Sequence, residues 1–209
     1  GEEIPADFSA VLERGLFGVL RVSRKDGFGG SKYEEIDLGQ LDEGAEDVFD
    51  NILSEIRSTS SGLVISPIDL LVQRIQEAGF TTAEVTGRNK RIHLDLEAMK
   101  KGDLTGTLEP RPQINRTDAF RDFNNNIVDV LLINQSGSTG ASAHAIPTPL
   151  VPENQVRQRV MIILQPELDI NKEVQKRGRI NRTGQLKAIP PIYDYVVSAV
   201  PAERRLVMM

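Results

Sequence analysis

Two near-continuous apolar stretches, "IVDVLLIN" at 127–134 and "QRVMIILQ" at 158–165, constrain the fold more than any other feature. Strands this short, without the alternation of a half-exposed sheet, belong to parallel sheets covered on both faces. "GLVIS" at 62–66 reads the same way. Parallel strands need crossovers, and helical segments lie where crossovers are required. In "SPIDLLVQRIQEAG", Pro67 suits a first turn, Asp69 favours a helix N-terminus and Gly79 marks the stop. "TTAEVTGR" reads as a strand and its loop, "TDAFRDFNNN" as a helix capped by Thr117, and "YDYVVSAV" as a last strand. The fold class is therefore α/β, a parallel sheet flanked by helices with right-handed crossovers.

The remaining segments carry less order. Residues 1–40 read as a poorly defined acidic leading segment, with "GLFGVLRVS" strand-like and "RKDGFGGSKYEE" loop-like. The main domain is placed at 41–209, opening on a helix in "EGAEDVFDNILSEIRS", where Val48, Ile52 and Ile56 recur at helical spacing. Residues 89–113 read as an insertion.

Composition narrows the chemistry. The 209-residue chain has no cysteine, so disulfides, thiolate metal sites and cysteine nucleophiles are excluded. Its two histidines, His93 and His144, form no local ligand cluster, and no metal site is expected. No apolar run approaches a membrane span and no leader opens the chain, so an intracellular, cytoplasmic setting of bacterial or viral origin is the expectation. The net charge of −5 is unevenly spread: residues 1–60 hold 14 acids and 6 bases, the rest 16 acids and 19 bases. The strongest positive block is "NKEVQKRGRINRTGQLK" at 171–187.

Two of the loops call for closer reading. "QSGSTGASAHA" at 135–145 combines Gly137, Ser138, Thr139 and Gly140 with Ser142 and His144. Such a loop is either a polar turn or an anion cradle of backbone N–H groups and hydroxyls. It is neither a GxxxxGK[ST] loop nor a G-x-S-x-G elbow, and no other segment supplies the former. In 171–187, read as one helix, Gln175, Arg179 and Arg182 share a face behind Gly178, while Lys172, Lys176, Arg177 and Lys187 read as solvated charge.

The pattern Q-x-x-G-R-x-x-R, filled by Gln175, Gly178, Arg179 and Arg182, resembles motif VI of superfamily 2 helicases. "TGQ" at 183–185 extends the likeness to Swi/Snf-type translocases and the strawberry notch family. "LVISPIDLLVQRIQEAGFTTAEVTGR" is similar to motif IV and its sequel in strawberry notch-type proteins, "VDVLLINQSGSTGASAHA" to their motif V, and "AERR" at 202–205 to a short closing sequence. The resemblance covers roughly 60–205 and implies the second, C-terminal RecA-like lobe of such a helicase. It implies ATP and Mg2+, both held mainly by a first RecA-like lobe in the same or a partner chain, with this lobe alone inactive and truncated at its C-terminal end.

By the same resemblance Arg179 and Arg182 are arginine fingers, both dispensable to the fold, and Gln175 orients one of them or the attacking water. Gly178, Gly140 and Ser142 border the nucleotide. Ser66, Arg88, Gly137, Ser138 and Thr139 contact a DNA or RNA backbone. Two other readings stand beside this one: a non-catalytic RecA-like module that binds nucleic acid or protein, and a self-contained hydrolase using Ser142 and His144.

Overall fold

The computed structural model describes residues 1–25, 30–41, 44–59, 62–134 and 140–198. In chain order the elements are β1 (Glu2–Pro5), α1 (Ser9–Val19), β2 (Arg21–Lys25), β3 (Ser31–Glu35), α2 (Ala45–Ser58), α3 (Pro67–Glu77), β4 (Thr82–Val85) and β5 (Lys90–Leu94). There follow α4 (Leu96–Lys100), β6 (Thr105–Pro110), α5 (Arg116–Asn124), β7 (Val130–Ile133), β8 (Val160–Ile163), α6 (Ile170–Arg177) and β9 (Ile192–Tyr195). They form two compact units, one of residues 1–73 with 90–111 and the other of 74–89 with 112–209.

The first unit is built on an antiparallel sheet in the order β1–β6–β5. The stretch read as an insertion thus supplies two of its strands and α4. Its core gathers Ala6, Ile92, Leu94 and Leu96, with Val64, Ile65 and Leu70 packed against them. The first turns of α3 lie along β5. Asp69, buried, accepts the Ile92 N–H at 2.9 Å, and Gln73 Oε1 accepts that of Leu94 at 2.9 Å. Gly106 faces Leu94 in register, and a Cβ there would meet Ile92 Cγ2 at 2.6 Å.

Several expectations for this unit are corrected. "GLVIS" is no parallel strand: Val64 makes an isolated antiparallel bridge to Asp7, and the Ile65 N–H donates to Ala6. An apolar run fits either pairing, and the nearest strand-like partner is the chain after β1. "GLFGVLRVS" divides between α1, whose Phe17 meets Phe49 edge-on at 5.4 Å, and β2, which pairs antiparallel with β3. On α2 the buried residue is Phe49, while Val48 and Ile52 are exposed.

The second unit carries the parallel strand pairs. β4 runs parallel to β7, with Thr82 opposite Val130 and Val85 opposite Ile133. β8 runs parallel to β9, with Val160 opposite Ile192 and Ile163 opposite Tyr195, and α6 forms the crossover between them. Its core combines Ala83, Val85, Ala119, Phe120, Ala143 and Ile180. The unit is mixed α/β with parallel strand pairs flanked by helices, as expected for a RecA-like helicase lobe. Its α5 is capped by Asn115, whose Oδ1 accepts the Thr117 N–H at 2.8 Å, rather than by Thr117.

Candidate functional site

The positive helix is shorter than its sequence suggests. Asp169 caps α6 by accepting the Asn171 N–H at 2.9 Å, and the helix ends at Arg177. Gly178, Arg179 and Ile180 continue as turns, and buried Ile180 enters the core. Arg179 and Arg182 therefore do not share a helical face with Gln175, which is exposed on the last turn. The reason is local: anchoring Ile180 in the core turns the chain away from the helix axis. Gly178 has an ordinary helical φ of −61°, and nothing about its backbone demands glycine. Lys176 and Arg177, read as solvated charge, instead brace α6: Lys176 donates to Glu173 at 3.1 Å, and Arg177 donates to the Tyr195 hydroxyl at 2.7 Å.

The segment Gly140–Ala145 faces this turn. Gly140 has φ +83°, a conformation that favours glycine, and a Cβ there would lie 3.9 Å from Arg116 Nη2. The following carbonyls are claimed by donors from distant elements. Arg179 Nη1 donates to Ala141 at 3.0 Å, Asn124 Nδ2 to Ser142 at 3.0 Å, Arg159 Nε to Ala143 at 3.1 Å and the Leu186 N–H to Ala145 at 2.9 Å. The Ala143 N–H donates back to the Arg179 carbonyl at 2.8 Å. Buried Ala143 and Ala145 complete the anchoring.

Above this clamped segment lies an open cleft of about 690 Å³, lined by Ser142, His144, Asn181, Arg182 and Thr183. Arg182 is exposed, its Nε resting on the Gly178 carbonyl at 3.2 Å. Arg179 and Arg159 are 8% and 4% exposed, so they are structural cations beneath the segment. The guanidinium of Arg159 stacks over the Phe123 ring at 4.6 Å. Among the described residues, no carboxylate pairs with Arg116, Arg159, Arg179 or Arg182, and Arg159 Nη2 and Arg179 Nε are buried without partners.

Burial, and then Arg182 and Arg116, push the Arg179 guanidinium below its ordinary range. Burial, and then Arg182 and Arg159, do the same to the His144 imidazole. The site is rich in donors and poor in acids. It fits a phosphate or another multiply charged oxyanion.

The structure brings Ser142 and Arg182 to one cleft, with Gly140 at the start of the segment and Arg179 below it. Arg88 of the second unit is bound in a two-point pair with buried Glu84, at 2.7 and 2.6 Å. Ser66 belongs to the first unit, where its hydroxyl donates to Asp69 at 2.6 Å. Gly137, Ser138 and Thr139, with the "AERR" stretch, lie outside the described residues. Among the described residues nothing pairs with His144 Nδ1, so none of them orients the imidazole as the hydrolase reading requires. Sequence reasoning missed Arg116, Asn124 and Arg159. Only their polarity beside apolar runs marked them, and many surface residues share that.

A parallel α/β unit with a donor-lined cleft after β7 and beside the turn following α6 is the architecture of a helicase second lobe. A family described as the C-terminal domain on Strawberry notch homologues matches residues 66–209, and the chain belongs to that helicase C-terminal-domain family. No curated protein and no solved structure matches it. No helix among the described residues is long and apolar enough to cross a membrane.

Proposed function

We propose that this chain supplies the second motor lobe of an ATP-dependent nucleic-acid helicase or translocase, with its cleft receiving a phosphate of ATP. One observation carries the reading: four arginines surround Gly140–His144 without a carboxylate partner among the described residues. Two of the four, Arg159 and Arg179, are buried, and buried cations are costly unless compensated, as an anion in the cleft would do.

The donor set suits phosphate oxygens. It does not suit Mg2+: no group of three or more acids or histidines among the described residues could hold a metal ion. By the family resemblance, Mg2+ and most of the nucleotide belong to a first RecA-like lobe. When bound, ATP supplies the phosphoanhydride whose cleavage powers the motor. Arg182, exposed at the cleft, stabilises negative charge on the transferred group. Arg179 acts from below by fixing Ala141, and Ser142 lines the floor. Gln175, exposed on α6 and not among the cleft-lining residues, has an orienting role by the family resemblance alone.

A DNA or RNA backbone is the second partner. Gly137, Ser138 and Thr139 are its best candidate contacts, since backbone N–H groups and hydroxyls grip phosphates without reading sequence. Arg88 and Ser66 can contribute only if they leave Glu84 and Asp69.

The test is nucleic-acid-stimulated ATP hydrolysis by the helicase that contains this lobe. Arginine fingers contribute roughly 10³–10⁵ in rate, and Arg182→Ala is expected to lose a comparable factor. Unchanged turnover would overturn the assignment and leave the non-catalytic binding module as the reading.

A further inference from the structure

His144 has no role in the reading above, yet it lines the same cleft as Arg182. Its Nδ1 is buried and has no hydrogen-bond partner among the described residues, which leaves Nε2 as the nitrogen able to meet a ligand. Its position is fixed from both sides, by the Arg159 bond to the Ala143 carbonyl and the Leu186 bond to the Ala145 carbonyl. The charged groups acting on it are Arg182, from the turn after α6, and Arg159, from the start of β8. Both are cations. The polar groups sharing the cleft, Ser142, Asn181 and Thr183, are uncharged.

We propose that His144 is a phosphate ligand of this cleft, acting beside Arg182, and that a phosphate entering the cleft converts its imidazole to the protonated form. The inference rests on the reading of the cleft as a phosphate site and adds a residue and a proton to it. The reasoning is one of balance. Without a phosphate, burial and then the two arginines oppose a further positive charge on the ring. A phosphate dianion cancels the arginine field and adds an acceptor. Nδ1 keeps its hydrogen, solvent supplies a proton to Nε2 on the cleft side, and the Nε2–H of the imidazolium then makes a charge-assisted bond to the phosphate. By linkage, phosphate binding and proton uptake strengthen each other over the pH range between the two midpoints.

Pyrophosphate is the probe, added to the full chain, and the readout is the NMR titration of the two histidine rings from about pH 5 to 8.5. His93, beside Gln73 in the first unit, is the internal reference, and His144→Gln assigns the other signal. Saturating pyrophosphate is expected to raise the His144 midpoint by about one pH unit or more. His144→Gln should bind pyrophosphate about tenfold more weakly than wild type near pH 6 and almost equally near pH 8.5. This comparison also removes the ligand's own titration. If pyrophosphate binds, Arg182→Ala weakens it and the His144 midpoint stays put, the present inference falls and the phosphate cleft stands. If wild-type chain fails to bind pyrophosphate, both fall.

Discussion

Arg159 donates to the Ala143 carbonyl at 3.1 Å while its guanidinium lies 4.6 Å over the ring of Phe123. A cation so enclosed, with Nη2 unpaired, serves both packing and electrostatics, and substitution separates the two. Arg159→Ala removes the stacking and the bond, and is expected to destabilise the fold by about 2–4 kcal/mol. Arg159→Met refills the volume without the charge and should recover most of that loss, since buried ions are replaceable by apolar groups of similar size. Pyrophosphate affinity should nevertheless stay low in Arg159→Met. Thermal melts beside binding isotherms decide it: wild-type affinity in the methionine variant would show that the buried charge does not act on the cleft.

Arg179 and Arg182 are equivalent in sequence and different in structure. Arg182→Ala alters an exposed side chain and should change stability by no more than about 0.5 kcal/mol. Arg179→Ala strips the Ala141 carbonyl of its donor and empties a buried site, so a loss of about 2 kcal/mol or more is expected. Urea unfolding of the two variants is the comparison. Equal midpoints would contradict the division into a binding and a clamping arginine.

At the other end of the β4–β7 pair, Asp129 accepts the Thr81 N–H at 2.9 Å, the Thr81 hydroxyl at 2.8 Å and Arg157 Nη1 at 2.6 Å. The backbone bond from Thr81 first, then its hydroxyl and Arg157, hold the carboxyl down at about 2, against an ordinary 3.8. Between those values the unfolded chain binds the proton that the folded one refuses. The stabilisation is therefore whole above the ordinary value and lost as pH falls through the folded one. Asp129→Asn should unfold more easily than wild type near neutral pH, with the gap closing as pH drops from about 4 to 2. A gap independent of pH would show that the carboxylate charge is not what these donors hold.

Gly106 offers a test in the first unit. A Cβ at this position would meet Ile92 Cγ2 at 2.6 Å and the His93 carbonyl at 3.0 Å, so the strands must move apart. Gly106→Ala is expected to cost about 1–3 kcal/mol, read from thermal unfolding. Gly106→Ala with Ile92→Leu, which lacks the β-branch methyl that the new Cβ meets, should recover stability relative to Gly106→Ala alone. A silent Gly106→Ala would mean that the β5–β6 pair is looser than its contacts indicate.

The parts legible in sequence were those whose signal is local. β7 and β8 stood out as short apolar runs, although Val160 and Ile162 of β8 are exposed rather than covered on both faces. Helix α3 stood out because Pro67 and Gly79 bracket it. What escaped depends on distant partners. The run at 62–66 looks like β7 but pairs antiparallel with residues 6–8, a choice written nowhere within it. Asn115 and Thr117 are both good caps two positions apart, and the chain uses the first. Helix α6 stops at Arg177 because Ile180 is wanted in the core, not because of its glycine. Motif resemblance brought Ser142 and Arg182 into view together. Arg159, two residues from the exposed Arg157, could be told apart from it only after folding.

The two side chains that α3 lays along β5 have a consequence beyond holding the first unit together. The Ile92 and Leu94 N–H groups lie on the outer margin of a sheet ordered β1–β6–β5, where an incoming strand from another molecule would seek its ladder. Asp69 and Gln73 already fill those positions, and Gln73 also covers the Leu94 carbonyl at 3.1 Å. On that side the sheet is closed to growth by addition of further chains, a safeguard against aggregation made from two polar residues of one helix.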